Sequence, residues 1–267
     1  MELNFAYSPC PNDTFTFYGI ASKRIVMKGH SVKVCHHDIE SLNISAFEGK
    51  YEISKMSFHA WLLLAGKYRL LKAGNALGFG CGPVLVSRRK IKPEELPGLR
   101  IILPGEHTTA HLLFRLYCPL ADLRTFTTYD KIFSEIISGN ADCGVVIHES
   151  RFLYEKEGLH KVCDLGQWWE TTAKAPIPLG AIAVRNDVPA ELDANIESAI
   201  RDSLALARRE PALAMPYIRK MAMEMDHSVI EKHIQTFVND FTMDLGEAGM
   251  KSIAKLKELA VRAGILK

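Results

Sequence analysis

At 267 residues, with Lys+Arg 33 against Asp+Glu 31 and a formal charge of +2, the chain gives no electrostatic argument for nucleic acid or anionic membranes. Hydrophobic residues at 48% and charged residues at 24% make an ordinary globular mixture, long enough to bury a sizeable core without metal or disulfide. The longest apolar stretch, AWLLLAG at 60–66, falls far short of the roughly 18–20 residues of a membrane span. The start, MELNFAYSPCPND, lacks the basic and apolar regions of a signal peptide, which predicts a cytoplasmic protein. Six cysteines stand at 10, 35, 81, 118, 143 and 163 with no CxxC pair, so reduced and mostly buried thiols are expected.

Taken in chain order, residues 3–7 read as a strand and 14–22 as a helix. SVKVCH at 31–36 alternates with period two, as a half-buried strand does. A short helix over 39–47, a strand over 53–56 and a buried helix over 57–65 follow. GFGCGPVLVS, within 73–87, is a Gly-rich turn or crossing that runs into an apolar strand. The segment SRRKIKPEELPG then marks a connection. Beyond it the alternation restarts, with strands at 99–103, 123–127 and 143–147 and helices at 108–117, 129–138 and 150–157. PLGAIAV at 178–184 returns as a strand. The rest is helical. Asp193 is expected to cap a helix carrying Ile196, Ile200, Leu204 and Ala207 on one stripe. Helices over 212–223 and 228–238 come next. Met250, Ile253, Leu256 and Ala260 form the last stripe, with Gly264 as its stop.

Strand–helix alternation predicts α/β units with parallel strands. Two such blocks and a helical end predict a two-lobe α/β protein. Lobe one is 1–87 plus 186–267 and lobe two is 88–185. The ligand cleft lies between the lobes, where strand C-termini meet.

Three segments face such a cleft. Ser8-Pro9-Cys10-Pro11-Asn12-Asp13-Thr14-Phe15 follows the first strand, and its helix start favours an anion; one of Asn12, Asp13 and Thr14 is expected to touch ligand. Pro104-Gly105-Glu106-His107-Thr108-Thr109-Ala110 is its counterpart in lobe two, with small hydroxyl residues at a helix start. Ser54-Lys55-Met56-Ser57 ends the third strand, where Lys55 either supplies positive charge or faces solvent. Third, His148 ends the apolar strand Val145–Ile147. A histidine there suits general acid or base work, or else is structural and donates to a backbone carbonyl. His107 and His111 have helix spacing for a metal, but HTTAH lacks the Glu of HExxH, and neither a metal nor a nucleotide cofactor is signalled. Adjacent His36 and His37 point to opposite faces of a strand. Cys10 has no base assignable from sequence, and Trp168-Trp169 either stacks on an aromatic ligand or packs within the protein.

SPCPNDTF at 8–15 resembles the opening motif of the 1,4-dihydroxy-6-naphthoate synthases, the menaquinone-biosynthesis enzymes of the futalosine pathway. The resemblance extends to Lys55-Met56-Ser57, to PGxxTTA at 104–110 and to Ile147-His148-Glu149, and so spans essentially the whole chain. It implies a fold similar to type II periplasmic binding proteins. It also implies a cofactor-independent lyase acting on cyclic dehypoxanthine futalosine, a small carboxylate. His148 would be the proton acceptor, and Lys55, Met56, Ser57, Thr109, Ala110 and Asn12 the substrate contacts. Two other readings suit the same fold: a solute-binding protein for a small carboxylate, and the chorismate dehydratase of the same pathway.

Overall fold

The computed structural model describes residues 2–222 and 226–266. Strand β1 (Glu2–Tyr7) has Leu3, Phe5 and Tyr7 fully buried. Helices α1 (Pro11–Thr16) and α2 (Tyr18–Ala21), strand β2 (Ser31–His36), helix α3 (Ile39–Phe47), strand β3 (Ile53–Ser57) and helix α4 (Phe58–Leu64) follow in the expected alternation. Next come β4 (Tyr68–Leu70), β5 (Ala76–Gly78), β6 (Val84–Ser87), β7 (Ile101–Leu103), α5 (Thr109–Tyr117), β8 (Arg124–Phe126), α6 (Ile132–Ile137) and β9 (Cys143–Val146). A 3-10 turn at His148–Phe152 leads into β10 (His160–Asp164), α7 (Leu165–Ala173) and β11 (Ile177–Arg185). The chain ends in α8 (Asp193–Arg209), α9 (Pro211–Met221), α10 (His227–Phe237), α11 (Asp240–Met243) and α12 (Gly246–Arg262).

Two sheets result. The first runs β2-β1-β3-β11-β4, with β5 also on β11, and the second runs β10-β6-β9-β7-β8. Only part of each is parallel. β1 runs parallel to β2 and β3, and β7 to β8 and β9. β11 opposes β3, β4 and β5, and β6 opposes β9 and β10. These are the strands next to the two crossings, and an antiparallel partner needs no crossover helix.

The crossings also lie one strand earlier than the boundaries expected at 87/88 and 185/186. β6 belongs to the second sheet and β11 to the first, so the chain changes lobe at 79–83 and again just before Ile177. Gly82 makes the outward crossing possible. A Cβ there would lie 2.2 Å from the Gly166 Cα, so only two glycines allow the crossing strand and α7 to approach so closely. The charged segment after Ser87 is a loop inside the second lobe.

Several elements differ from expectation. The helix expected over 14–22 starts at Pro11 and breaks at Phe17. Thr14 and Thr16 bond back to the carbonyls of Cys10 and Asn12, which competes with a continuous helix. The helix at 150–157 is only a 3-10 turn. β4, β10 and α7 are additional. Asp193 caps nothing; it accepts from the Arg69 guanidinium at 2.7 Å instead. Met250 is exposed while Ile253, Leu256 and Ala260 carry the stripe alone. Of the helix expected over 212–223, Met223 lies outside the described residues. All six cysteines are free thiols, Cys10, Cys81 and Cys143 buried and the others half-buried. No helix among the described residues is long and apolar enough to cross a membrane.

Candidate active site

A cavity with about 620 Å³ of empty space, its mouth included, opens between the two sheets. Its first wall grows from the end of β1. Pro11 occupies the first turn of α1, where a missing N–H costs nothing. That places Asn12 and Asp13 on the cavity and leaves Thr14 fully buried, with its hydroxyl on the Cys10 carbonyl at 3.0 Å. The Asp13 carboxylate accepts from Ser8 Oγ at 2.7 Å, Asn12 Nδ2 at 2.8 Å and Lys55 Nζ at 2.5 Å. Lys55 is therefore a buried cation paired by a buried anion, not a solvated side chain. Gly180 across the sheet leaves room for it, since a Cβ there would come within 2.5 Å of Lys55 Cε.

Strand alternation decides the rest of that segment. Lys55 and Ser57 line the cavity. Met56 points to the other face, fully buried in the hydrophobic core, and its side chain does not line the cavity. The expected substrate contact from Met56 is thus limited to its backbone. Ser57 is held by Asn43 of α3, whose Nδ2 donates to Ser57 Oγ at 3.1 Å and whose Oδ1 accepts from the Ser57 N–H at 2.8 Å.

The second wall is the turn before α5. Glu40 of α3 reaches across and accepts from the His107 N–H at 3.0 Å and bonds its Nδ1 at 2.9 Å. Thr108 caps α5, accepting from the His111 N–H at 3.2 Å. The Thr109 hydroxyl donates to the Leu179 carbonyl of β11 at 2.8 Å. Both hydroxyls expected to meet a ligand are occupied by the protein. The donors that a helix start leaves over are the first-turn N–H groups, here those of Thr109 and Ala110, both on the cavity wall.

His148 faces these groups. It begins the 3-10 turn after β9 with φ +54°, in the left-handed region that non-glycine residues seldom occupy. The ring is wedged between Tyr129, edge-on at 5.0 Å, and the parallel ring of His233 at 6.0 Å. Its Nδ1 lies 3.6 Å from Cys10 Sγ, and its buried Nε2 has no partner among the described residues. Burial lowers its pKa to about 4, with Glu149 pulling up and His233 pushing down. The imidazole is neutral at pH 7 and able to accept a proton. In the tautomer whose hydrogen is on Nδ1, towards Cys10 Sγ, Nε2 carries the free lone pair. Burial and the nearby carboxylate of Glu149 push the Cys10 thiol well above its ordinary value, so it stays protonated and is no nucleophile.

Sequence reasoning missed His233. It lies on α10, on the same buried stripe as Ile230 and Phe237. The signal was a histidine inside an apolar helical stripe. Its Nε2 lies 3.0 Å from Asn12 Oδ1, and its Nδ1 faces Glu149 Oε2 at 3.6 Å. Phe237, one turn on, lines the cavity. Trp168 and Trp169 do not: Trp169 is in the core, donating to the Pro176 carbonyl, and Trp168 packs on Tyr117. His111 bonds the Glu106 carbonyl at 2.7 Å, and the two adjacent histidines go separate ways, His36 to Tyr217 and His37 to Tyr51.

Two mixed sheets, two crossings and a polar cleft between them define a two-lobe protein of the periplasmic-binding-protein type. The aliphatic sulphonate-binding protein of Escherichia coli superposes with a TM-score of 0.67 at 12% identity, over 99% of this chain and 88% of that one. A crystal structure from Archaeoglobus fulgidus superposes with a TM-score of 0.93 at 34% identity, over 99% and 98% of the two chains. Within that class the chain belongs to the menaquinone biosynthesis family, whose sequence model matches residues 3–262. It is 39% identical to the 1,4-dihydroxy-6-naphthoate synthase of Thermus thermophilus, over 98% of this chain and 95% of that one. To the enzyme of the same name from Streptomyces coelicolor it is 37% identical, over 99% and 94%.

Proposed function

We propose that this chain is a cytoplasmic carbon–carbon lyase that converts cyclic dehypoxanthine futalosine to 1,4-dihydroxy-6-naphthoate, with His148 as the general base. The observation that carries this reading is a neutral, half-buried histidine whose Nε2 is buried and unpartnered among the described residues on the cavity wall, in a chain whose near-full-length relatives bear that enzyme's name. Releasing the naphthol requires breaking a carbon–carbon bond and aromatising a ring. A base must take a proton, and developing oxyanion charge must be met. A positioned imidazole supplies about 10²–10⁴-fold for the first. The N–H groups of Thr109 and Ala110 and the Lys55 ammonium suit the second, and also the carboxylate of the substrate. Asn12 and Ser57 bound the same space, and Phe237 offers a ring face to an aromatic ligand.

Incubating purified protein with cyclic dehypoxanthine futalosine, without added cofactor, and following products by mass spectrometry tests the reading. Formation of the naphthoate supports it. Unchanged substrate from folded protein overturns it and leaves a binding protein, and turnover of chorismate instead would make the chain a dehydratase.

A further inference from the structure

His233 is the buried titratable group that this mechanism leaves unused, and its surroundings fix where its hydrogens sit. Asn12 Nδ2 donates to the Asp13 carboxylate, so the other end of that amide, Oδ1, is an acceptor facing His233. His233 Nε2, 3.0 Å away, must therefore carry a hydrogen. Its Nδ1 then meets Glu149 Oε2 at 3.6 Å, and both atoms are buried with no other hydrogen-bond partner among the described residues. Two bare lone pairs facing each other in a dry site are costly, and one proton between them removes the cost.

We propose that His233 is a positioning residue held as an imidazolium between Asn12 and Glu149, pairing the Glu149 carboxylate so that the neighbouring His148 stays an unprotonated base. The inference rests on the reading of His148 as the base. Burial resists charge on Glu149, but contact with His233 and the adjacent His148 ring outweigh it and hold the carboxyl below its ordinary value. With the Nε2 hydrogen fixed by Asn12, a proton placed on Nδ1 is the one arrangement that pairs both facing atoms while Glu149 stays a carboxylate. The chain of contacts also spans the cleft, from α1 and α10 on one side to the turn after β9 on the other.

The groups facing this pair are few. From α1 come Asp13, already paired with Lys55 of β3, and the neutral Cys10 before it. Tyr129 covers the far side of His148. Arg151, further along the turn, is directed to Asp164. On α10 itself, Lys232 sits over the Phe152 ring, and His227 pairs with the exposed Glu231. No other cation among the described residues is placed to replace His233 against Glu149. Without it, an unpaired carboxylate next to His148 would favour the imidazolium and disable the base.

Nitrogen-15 imidazole spectra of the wild-type protein at pH 7 should show both His233 nitrogens protonated and one bare nitrogen on His148. A bare nitrogen on His233 overturns the proposal, whatever the protein turns over. In assays, His233→Gln should raise the acid limb of kcat by about one pH unit or more, while KM stays within about threefold. Adding Glu149→Gln should return the limb towards wild type. An unmoved limb, or a shift that the second substitution does not reverse, also overturns it. If His233→Gln fails to fold in a thermal melt, the wild-type spectra still decide. Absence of any turnover would reject the proposed reaction without touching the spectral result.

Discussion

The two walls of the cavity are built on different principles. On the first-sheet side the polar groups at the ends of β1 and β3 answer one another: Ser8, Asn12 and Lys55 all converge on Asp13, and Asn43 holds Ser57. On the second-sheet side the threonine hydroxyls are used up by the protein, and what faces the ligand space is backbone N–H and one strained histidine with a free nitrogen. The first wall is a rigid, satisfied network that shapes the site. The second holds the group with unspent capacity to react.

The strongest way to break this contrast is His148→Ala. Turnover should fall by about 10²–10⁴-fold with fold and ligand affinity kept. Wild-type rates in a steady-state assay would move the chemistry to the first wall. Next comes Asp13→Ala, which strands Lys55 as a buried unpaired cation. It should destabilise the fold by about 3–5 kcal/mol in a denaturant melt. A change as small as that of a surface substitution would show that the first wall is not the rigid one.

Acid should act on both sides, through His59 of α4 beside the first sheet and through His111 and His148 beside the second. Burial lowers His59 to about 3 and His111 and His148 to about 4. The unfolded chain takes up protons on these residues below about pH 6.5 while the folded chain refuses them, so stability falls as the pH drops from there towards 4. A loss on the order of a few kcal/mol by pH 5 is expected in urea titrations, and a flat profile would mean these imidazoles are solvated. The smallest effect belongs to Thr109→Val. It removes the tie to the Leu179 carbonyl and should lower stability by about 1 kcal/mol, with KM raised only through a shifted α5. A large loss of ligand affinity with stability unchanged would instead make the hydroxyl a ligand contact.

Legibility followed the range of the interactions. Strand β2 and helix α3 were readable with their bounds, because period-two alternation and a short helical run are local facts; the structure adds that Asp38 caps α3, accepting from the Glu40 and Ser41 N–H groups. So was the placing of Asn12, Ser57, Ala110 and His148 at the cavity, since each lies at a strand end or a helix start there, whereas Lys55 sits mid-strand in β3 and reaches the cavity by alternation. Met56 was readable in principle as well: a residue between two cavity-facing neighbours on a strand must face the core. β10 and α7 were missed because an edge strand with an exposed start and a helix of mixed polarity carry weak periodicity, although Asp164, which accepts from the Gln167 N–H at 3.0 Å, was a usable cap signal.

The sequence by itself determined the two α/β blocks, the helical end and the segments at the mouth of the cleft, because these depend on neighbours a few residues apart. Only the tertiary structure decided that Lys55 is paired rather than solvated, that Cys10 lies beside His148 138 residues away, and that His233 joins Asn12 from 221 residues away. Those outcomes depend on which groups share a dry volume, and burial makes pairing there compulsory. A chain read residue by residue contains the donors and acceptors but not the volume.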